Sequence, residues 1–215
     1  MKQHAVKSNH DARYSVRQAF LRWGIPAGWL ILVGLGFTIM NAYATTPGEV
    51  SVAPPMWPVD TNLEEPADTF QAIVFAHPDC PCTQATLANI RHLSTKHLGK
   101  IKTQLVFFDT KQRRNEWAVT RLKKMAEDIP GSVVALDEDG HEAERFGVRT
   151  SGHVLVYSAD HELLFSGGVT ASRGHEGRSP GLDAIEALVM DIPPLEAIRE
   201  SAVYGCPLNC PMPKP

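Results

Sequence analysis

The chain has 215 residues, of which 43% are hydrophobic and 21% are charged. These fractions are ordinary for folded proteins and exclude a wholly disordered chain, while the length suits one domain with additional segments. The net charge of −3 at pH 7 argues against a nucleic-acid-binding protein that depends on attraction to phosphates. Four cysteines are too few for a miniature domain held together by disulfides.

The charge is unevenly distributed along the chain. Residues 1–23 contain five basic side chains and one acidic side chain, and no charged residue occurs between Arg22 and Glu49. Residues 24–44 form an apolar stretch that is long enough to cross a bilayer as a helix. Because the basic residues precede this stretch, the positive-inside rule predicts a cytoplasmic tail at 1–23 and export of everything after Thr45. The sequence therefore predicts a single-pass inner-membrane protein whose C-terminal domain faces the periplasm.

Residues 24–44 also permit a second interpretation. Ala42-Tyr43-Ala44 is a small-x-small sequence of the kind found at signal-peptide cleavage sites. The full length of the apolar stretch and the long basic head before it favour a retained membrane anchor over a removed signal peptide.

Residues 45–69 are rich in proline, with scattered acidic residues and little hydrophobic periodicity. We interpret them as a linker that holds the next domain away from the membrane surface. Trp57 is interpreted as a linker residue without a particular role.

From residue 70 to residue 190, short apolar runs typical of strands alternate with the apolar spacing of helices. In chain order the predicted elements are a strand at 70–76, a helix at 83–98, a strand at 105–108, a helix at 115–129, a strand at 132–136, a turn at 137–140, a hairpin of strands 153–157 and 163–166, and a helix over 182–189. This alternation predicts an α/β domain with one central sheet and helices on both faces. Residues 191–215 form a tail with prolines and cysteines and a short helical candidate at 195–204.

The loop between the first strand and the first helix carries two cysteines, Cys80 and Cys82. Backbone N–H groups and the positive end of a helix dipole stabilise a thiolate at such a position, and Pro81 fits the first helical position. The pattern predicts that Cys80 is an exposed nucleophile and Cys82 the resolving thiol, with His77 as a proton shuttle. An inert disulfide or two unpaired thiols is the alternative.

This region resembles membrane-anchored thioredoxin-like proteins, among them the periplasmic cytochrome c maturation reductases. Residues 75–82 stand where that family has its Trp-Cys-x-x-Cys loop, and residues 136–150 look like its strand, turn and short helix before the substrate loop. Residues 167–170 and 172–177 are similar to a stretch of RedB-type proteins of the same superfamily. The resemblance covers about residues 70–190 and implies a thioredoxin-like fold that exchanges disulfides with protein thiols and needs no cofactor.

The sequence departs from that family in two places. Cys80 and Cys82 are separated by one residue instead of two, and Gly152 stands where the family has a cis-proline. A disulfide across one residue closes a smaller and more strained ring, which is expected to make it more oxidising. In the family the proline positions the substrate backbone and helps to keep metals away from the thiols, so both departures also favour metal binding.

Copper binding is accordingly the alternative function. Thiolates at Cys80 and Cys82 with His77 or His153 nearby are soft ligands suited to copper(I) or zinc. Related exported thioredoxin-like proteins deliver copper with two cysteines and a histidine, so the resemblance implies Cys80, Cys82 and His153 as the ligand set.

The remaining candidates lie in the second half of the chain. Gly152, Arg173 and His175 are predicted to line the site, the last two from a glycine-rich loop. Cys206 and Cys210 form a second pair of thiols, and four cysteines allow three pairings. A local Cys206–Cys210 disulfide, exchange of this tail with Cys80 and Cys82, and metal binding assisted by Met212 all remain open.

Taken together, the sequence predicts a membrane-tethered thiol–disulfide oxidoreductase. In that mechanism the Cys80 thiolate attacks a partner disulfide, a mixed disulfide forms, and Cys82 resolves it. The alternatives are a copper-binding or copper-delivering protein and a redox-inactive scaffold that keeps the fold for partner binding.

Overall fold

The computed structural model describes residues 18, 20–78, 80–109, 121–192 and 199–208. The chain divides into two compact units, residues 1–43 and 44–215. In the first unit, a π-helical turn at Phe20–Gly24 leads into helix α1 at Ile25–Thr45, and no residue of α1 is buried. The helical stretch Leu21–Thr45 is long and apolar enough to cross a membrane, a property that membrane anchors share with signal sequences.

The second unit is built on a five-stranded sheet. Its strands are β1 (Phe70–Ala76), β2 (Ile101–Asp109), β3 (Ser132–Glu138), β4 (His153–Tyr157) and β5 (Leu163–Gly168). Their order across the sheet is β3-β2-β1-β4-β5. Strand β2 is parallel to both β1 and β3, whereas β4 is antiparallel to both β1 and β5. The expectation of one mixed central sheet is therefore confirmed.

Helices pack on both faces of this sheet. They are α2 (Thr83–Lys96), α3 (Arg121–Glu127), α4 (His141–Arg145) and α5 (Pro180–Val189). The apolar sides of α2, α3 and α5 share one core with alternate strand residues, as the helical spacing of their hydrophobic residues predicts. The opposite face has a second core, to which α4 and the residue after it contribute Ala143 and Phe146.

Several element boundaries differ from the prediction. Strand β2 begins at Ile101 rather than Leu105, and Asp137 belongs to β3 rather than to the following turn. The helix predicted at 115–129 is described only from Arg121, and it ends at Glu127. Its residues 115–120 lie outside the described part of the chain.

The segment 45–69 is not the free linker that its composition predicts. The Trp57 side chain is 5% exposed and packs edge-to-face on Phe146 and Tyr157, with ring centroids 5.3 and 5.2 Å away. The Pro55 carbonyl accepts a hydrogen bond from the N–H of Leu163 at 2.9 Å. The segment lacks periodicity because it packs through individual residues rather than as a helix or strand.

The described part of the tail is also folded onto the domain. Glu200 bridges to Ser166 and Pro207 bridges to Thr150, and the Leu208 side chain is 1% exposed in the second core. The helix proposed at 195–204 is contradicted over its described residues 199–204, which are not helical. Their backbone groups bond to β5 and to other parts of the domain instead of to one another. Residues 193–198 lie outside the described part of the chain.

The sheet register fixes the place of the candidate site. Phe75 near the end of β1 pairs with His153 at the start of β4, and the Gly152 N–H donates to the Phe75 carbonyl at 2.7 Å. The β1–α2 loop with its cysteines and the loop before β4 therefore lie side by side at one end of the sheet.

Candidate active site

The β1–α2 loop turns Cys80 and Cys82 into the opening of α2. The Cys80 N–H donates to the His77 carbonyl at 3.1 Å, and the Thr83 N–H donates to the Cys80 carbonyl at 3.1 Å. Cys82 is the N-cap residue of α2, and its side chain makes no capping hydrogen bond. Both thiols therefore lie at the start of α2, as predicted. Pro81 is exposed between them. Asp79 lies outside the described residues.

Cys80 is buried rather than exposed, which corrects one expectation. Its side chain is 2% exposed, and burial acts to raise the pKa of its thiol. Hydrogen bonds from the backbone N–H and thiol of Cys206, the Thr83 hydroxyl and the backbone N–H of Cys82 outweigh burial, so the pKa of Cys80 is lowered. Donors that point at a sulfur favour its anionic form. Cys80 is thus the thiol whose anionic form the surrounding donors favour.

The Thr83 hydroxyl is held in place by a short chain of buried hydrogen bonds. Thr83 Oγ1 lies 3.0 Å from Ser151 Oγ, and Ser151 Oγ accepts from the His77 N–H at 2.8 Å. One donor order satisfies every group, with Ser151 donating to Thr83 and Thr83 donating to the Cys80 sulfur. Sequence reasoning did not single out Thr83 or Ser151, because a buried serine and threonine carry no motif.

Arg173 supplies the positive charge beside the second thiol. Burial raises the pKa of Cys82, and the neighbouring Cys80 raises it further through its charge and a hydrogen bond. The Arg173 guanidinium opposes both by its charge and by a hydrogen bond to Cys82, yet the pKa of Cys82 is raised on balance. The predicted lining role of Arg173 therefore has a specific form. It contacts the sulfur that would close the disulfide.

Cys206 brings a third thiol to the same place. The Ser151 N–H donates to the Cys206 carbonyl at 2.8 Å, and the Leu208 N–H donates to the Arg149 carbonyl at 2.8 Å. The structure has Cys80, Cys82 and Cys206 as free thiols, and Cys206 hydrogen-bonds to Cys80. Burial followed by that contact with Cys80 raises the pKa of Cys206 to about 12. Cys210 and Met212 lie outside the described residues, so a Cys206–Cys210 disulfide stays a prediction.

Gly152, which the sequence comparison aligned with a cis-proline, adopts a left-handed conformation with φ of +88°. A Cβ atom there would lie 2.9 Å from the Thr86 hydroxyl oxygen. Both constraints explain why glycine stands at this position. Among the described residues there is no cis peptide bond.

The three candidate histidines are placed differently. The His77 ring is buried and stacks on Phe108, with ring centroids 5.8 Å apart. His153 Nε2 lies 2.9 Å from Ser166 Oγ, and burial lowers the pKa of His153 to about 4. His175 is exposed in the loop between β5 and α5.

The alternative ligand set is not assembled in the structure. His153 directs Nε2 to Ser166, and its Nδ1 finds no hydrogen-bond partner within the described ranges. Over those same residues, no group of three or more His, Cys, Asp or Glu side chains is arranged to hold a metal ion. The Cys80–Cys82–His153 copper site stays a prediction that these contacts do not support.

Comparisons with known proteins show similarity of fold only. No protein-family model matches the chain, and no curated protein matches it significantly. A solved structure of an uncharacterized conserved protein from Geobacillus kaustophilus has a TM-score of 0.53 and 15% identity, covering 79% of this chain and 95% of that one. A hypothetical protein from Sinorhizobium meliloti 1021 has a TM-score of 0.51 and 14% identity, covering 76% and 93%. A secreted Mycobacterium tuberculosis disulfide oxidoreductase homologous to E. coli DsbE has a TM-score of 0.41 and 12% identity, covering 59% and 84%.

The predicted fold class is confirmed. The second unit is a thioredoxin-like α/β domain with a mixed central sheet and helices on both faces. The closer resemblance to cytochrome c maturation reductases and RedB-type proteins stays a prediction.

Proposed function

We propose that this protein is a thiol–disulfide oxidoreductase in which Cys80 is the nucleophile and Cys82 the resolving thiol. The observation that carries the proposal is the set of donors around Cys80, which lowers the pKa of a buried thiol against the effect of its burial. An inert structural cysteine has no need of four donors directed at its sulfur. The substrates would be thiols and disulfides of other proteins.

The proposed reaction uses the two thiols in sequence. The Cys80 thiolate attacks one sulfur of a partner disulfide, which forms a mixed disulfide and releases the other partner sulfur as a thiolate. Cys82 then loses its proton and attacks the Cys80 sulfur, which closes the Cys80–Cys82 disulfide and releases the partner as a dithiol. Arg173 contacts Cys82 and so stabilises the thiolate that this second step requires.

We also propose an exported location with α1 as the anchor. The five basic residues within 1–23 precede α1, and a domain exported in that orientation faces the periplasm, where protein disulfides form and persist.

Turnover of insulin disulfides by the full-length protein in detergent tests the proposed chemistry. Cys80→Ser should abolish turnover, and Cys82→Ser combined with Cys206→Ser should accumulate a mixed disulfide, because both thiols that contact Cys80 and could resolve it are then absent. Cys210→Ser makes the same chemical change at a cysteine outside the proposed pair and should retain activity. Equal turnover by wild-type protein and Cys80→Ser would refute the proposal.

A further inference from the structure

We infer that Cys206 is a third redox-active thiol of this site, which takes over the disulfide from Cys82 by forming a Cys80–Cys206 disulfide. This inference rests on the proposed function, because the exchange begins from a Cys80–Cys82 disulfide. It assigns a role to a residue that lies far from the Cys-x-Cys motif in sequence.

The first support is that the backbone fixes Cys206 next to Cys80. Its own carbonyl accepts from the Ser151 N–H at 2.8 Å, and the carbonyl of the preceding Gly205 accepts from Arg173. A Cβ atom on Gly205 would lie 1.8 Å from the Ser151 carbonyl oxygen, so only glycine permits this close approach. Pro207 bridges to Thr150 on the other side. Cys206 is therefore held at both of its neighbours.

The second support is the contact between the sulfurs. The Cys206 thiol and backbone N–H both donate to the Cys80 sulfur. Cys82 also hydrogen-bonds to Cys80. The same Cys80 sulfur thus has two thiols within hydrogen-bond reach, and each of them is a candidate disulfide partner.

The exchange balances without an external oxidant. Cys206 loses its proton, and its thiolate attacks the Cys80 sulfur of the Cys80–Cys82 disulfide. The Cys80–Cys206 bond forms as the Cys80–Cys82 bond breaks, and Cys82 leaves as a thiolate that takes up a proton. Arg173 interacts electrostatically with both Cys82 and Cys206, so one cation faces the negative charge at the start and at the end of the step.

The proposed exchange moves the disulfide to a cysteine that is more exposed to solvent. Cys80 and Cys82 are 2% and 8% exposed, whereas Cys206 is half-buried and more accessible to a partner. A partner thiolate that attacks the Cys206 sulfur of a Cys80–Cys206 disulfide expels Cys80 as a thiolate, which the Thr83 hydroxyl and the backbone N–H groups of Cys82 and Cys206 stabilise. A second partner thiolate then displaces Cys206, which yields the partner disulfide and the reduced protein.

Peptide mapping of the full-length protein in detergent tests the inference. The protein is oxidised with diamide, quenched in acid, alkylated and digested with trypsin. Cys80 and Cys82 fall on one tryptic peptide, and Cys206 and Cys210 fall together on another, so every variant carries Cys210→Ser to remove the ambiguity. The Cys82→Ser chain should yield the two peptides cross-linked, whereas the Cys206→Ser chain should yield only the internal Cys80–Cys82 loop.

Two further variants test the geometry. Gly205→Ala should lower the cross-linked fraction about tenfold, because its Cβ atom cannot fit against Ser151. Ala202→Ser, at an exposed side chain of the same segment, should leave the cross-linked fraction unchanged.

The inference fails if Cys82→Ser gives no cross-link while Cys80 remains open to alkylation, or if Gly205→Ala cross-links as well as Ala202→Ser does. Failure of the proposed function has a different signature. In that case the cross-link forms, but insulin turnover does not depend on Cys80.

Discussion

At the scale of single residues, the site is defined by where hydrogen-bond donors point. Cys80 and Cys82 differ little in sequence context, yet the structure shifts their pKa values in opposite directions. The difference arises because donors converge on Cys80, while Cys82 sits beside the charge that Cys80 carries. A thiolate and a neighbouring protonated thiol are the two states that a disulfide exchange needs at its start.

The Cys206 thiol is one of the donors that keep the pKa of Cys80 low, so its removal should have a measurable effect. We expect Cys206→Ala to raise the pKa of Cys80 by roughly one unit, in line with the strength of a hydrogen bond to a charged group. Cys206→Ser keeps a donor and should restore most of the shift. The pH dependence of Cys80 alkylation, in chains that also carry Cys82→Ser and Cys210→Ser, measures the pKa. An identical pKa in the alanine and serine variants would contradict this account.

His153 should make folding stability sensitive to acid. Burial lowers its pKa from 6.5 to about 4, so between these values the unfolded chain binds a proton that the folded chain does not. The stability contributed by the neutral ring is complete above pH 6.5 and is lost as the pH falls towards 4, by about 3 kcal/mol in total. Chemical denaturation at neutral and acidic pH should show a smaller acid loss for His153→Gln than for wild type.

The exposed His175 provides the matched control for that measurement. His175→Gln should follow the wild-type pH dependence. If His175→Gln weakens the pH dependence of folding stability as much as His153→Gln does, the acid sensitivity does not come from the buried ring.

At the scale of elements, periodicity predicted the regular structure and failed where chain segments pack irregularly. Strand β1 was predicted from a short continuous apolar run, and helix α2 from apolar residues that recur with the period of a helix. The segment 45–69 has no such period, although Trp57 lies in a core. The contact between Cys206 and Cys80 was left as one of several pairings, because spacing along a chain does not reveal which distant residues meet.

Substitution of Trp57 tests whether residues 45–69 are packed on the domain or form a free linker. Trp57→Ala should lower the free energy of unfolding by about 3–5 kcal/mol, because the substitution removes a large side chain from a core shared with Phe146 and Tyr157. Denaturant titration of the full-length protein measures the loss. The Val59 side chain is 90% exposed, so Val59→Ala should change stability little. A free linker would make both substitutions silent.

At the scale of the whole molecule, the order of charge and hydrophobicity along the chain is expected to determine orientation. The five basic residues before α1 should retain the N-terminus in the cytoplasm. Replacing all five with glutamine should reduce export of the C-terminal domain, measured as the activity of alkaline phosphatase fused to the C-terminus. Replacing Lys96 and Lys100 with glutamine changes charge within the domain and should leave export unchanged. Undiminished export of the first variant would contradict the proposed topology.

The second core draws on segments from both ends of the folded unit. Trp57 precedes every strand and Leu208 follows every strand, and both lie in this core. Helix α4 has only five residues, and Trp57 and Leu208 pack beside it in the same core. The residues that complete the core at Leu208 are also those that bring Cys206 to the site.

This arrangement has a consequence for a chain that is synthesised and secreted from one end to the other. In the proposed export, Cys80 would cross the membrane before Cys206, and during that interval it would lack both donors that Cys206 later provides. Until the tail docks, the Cys80 thiol would therefore be only partly activated. Its full activation would then come late, when docking of residues 199–208 supplies both donors of Cys206 and the third thiol together.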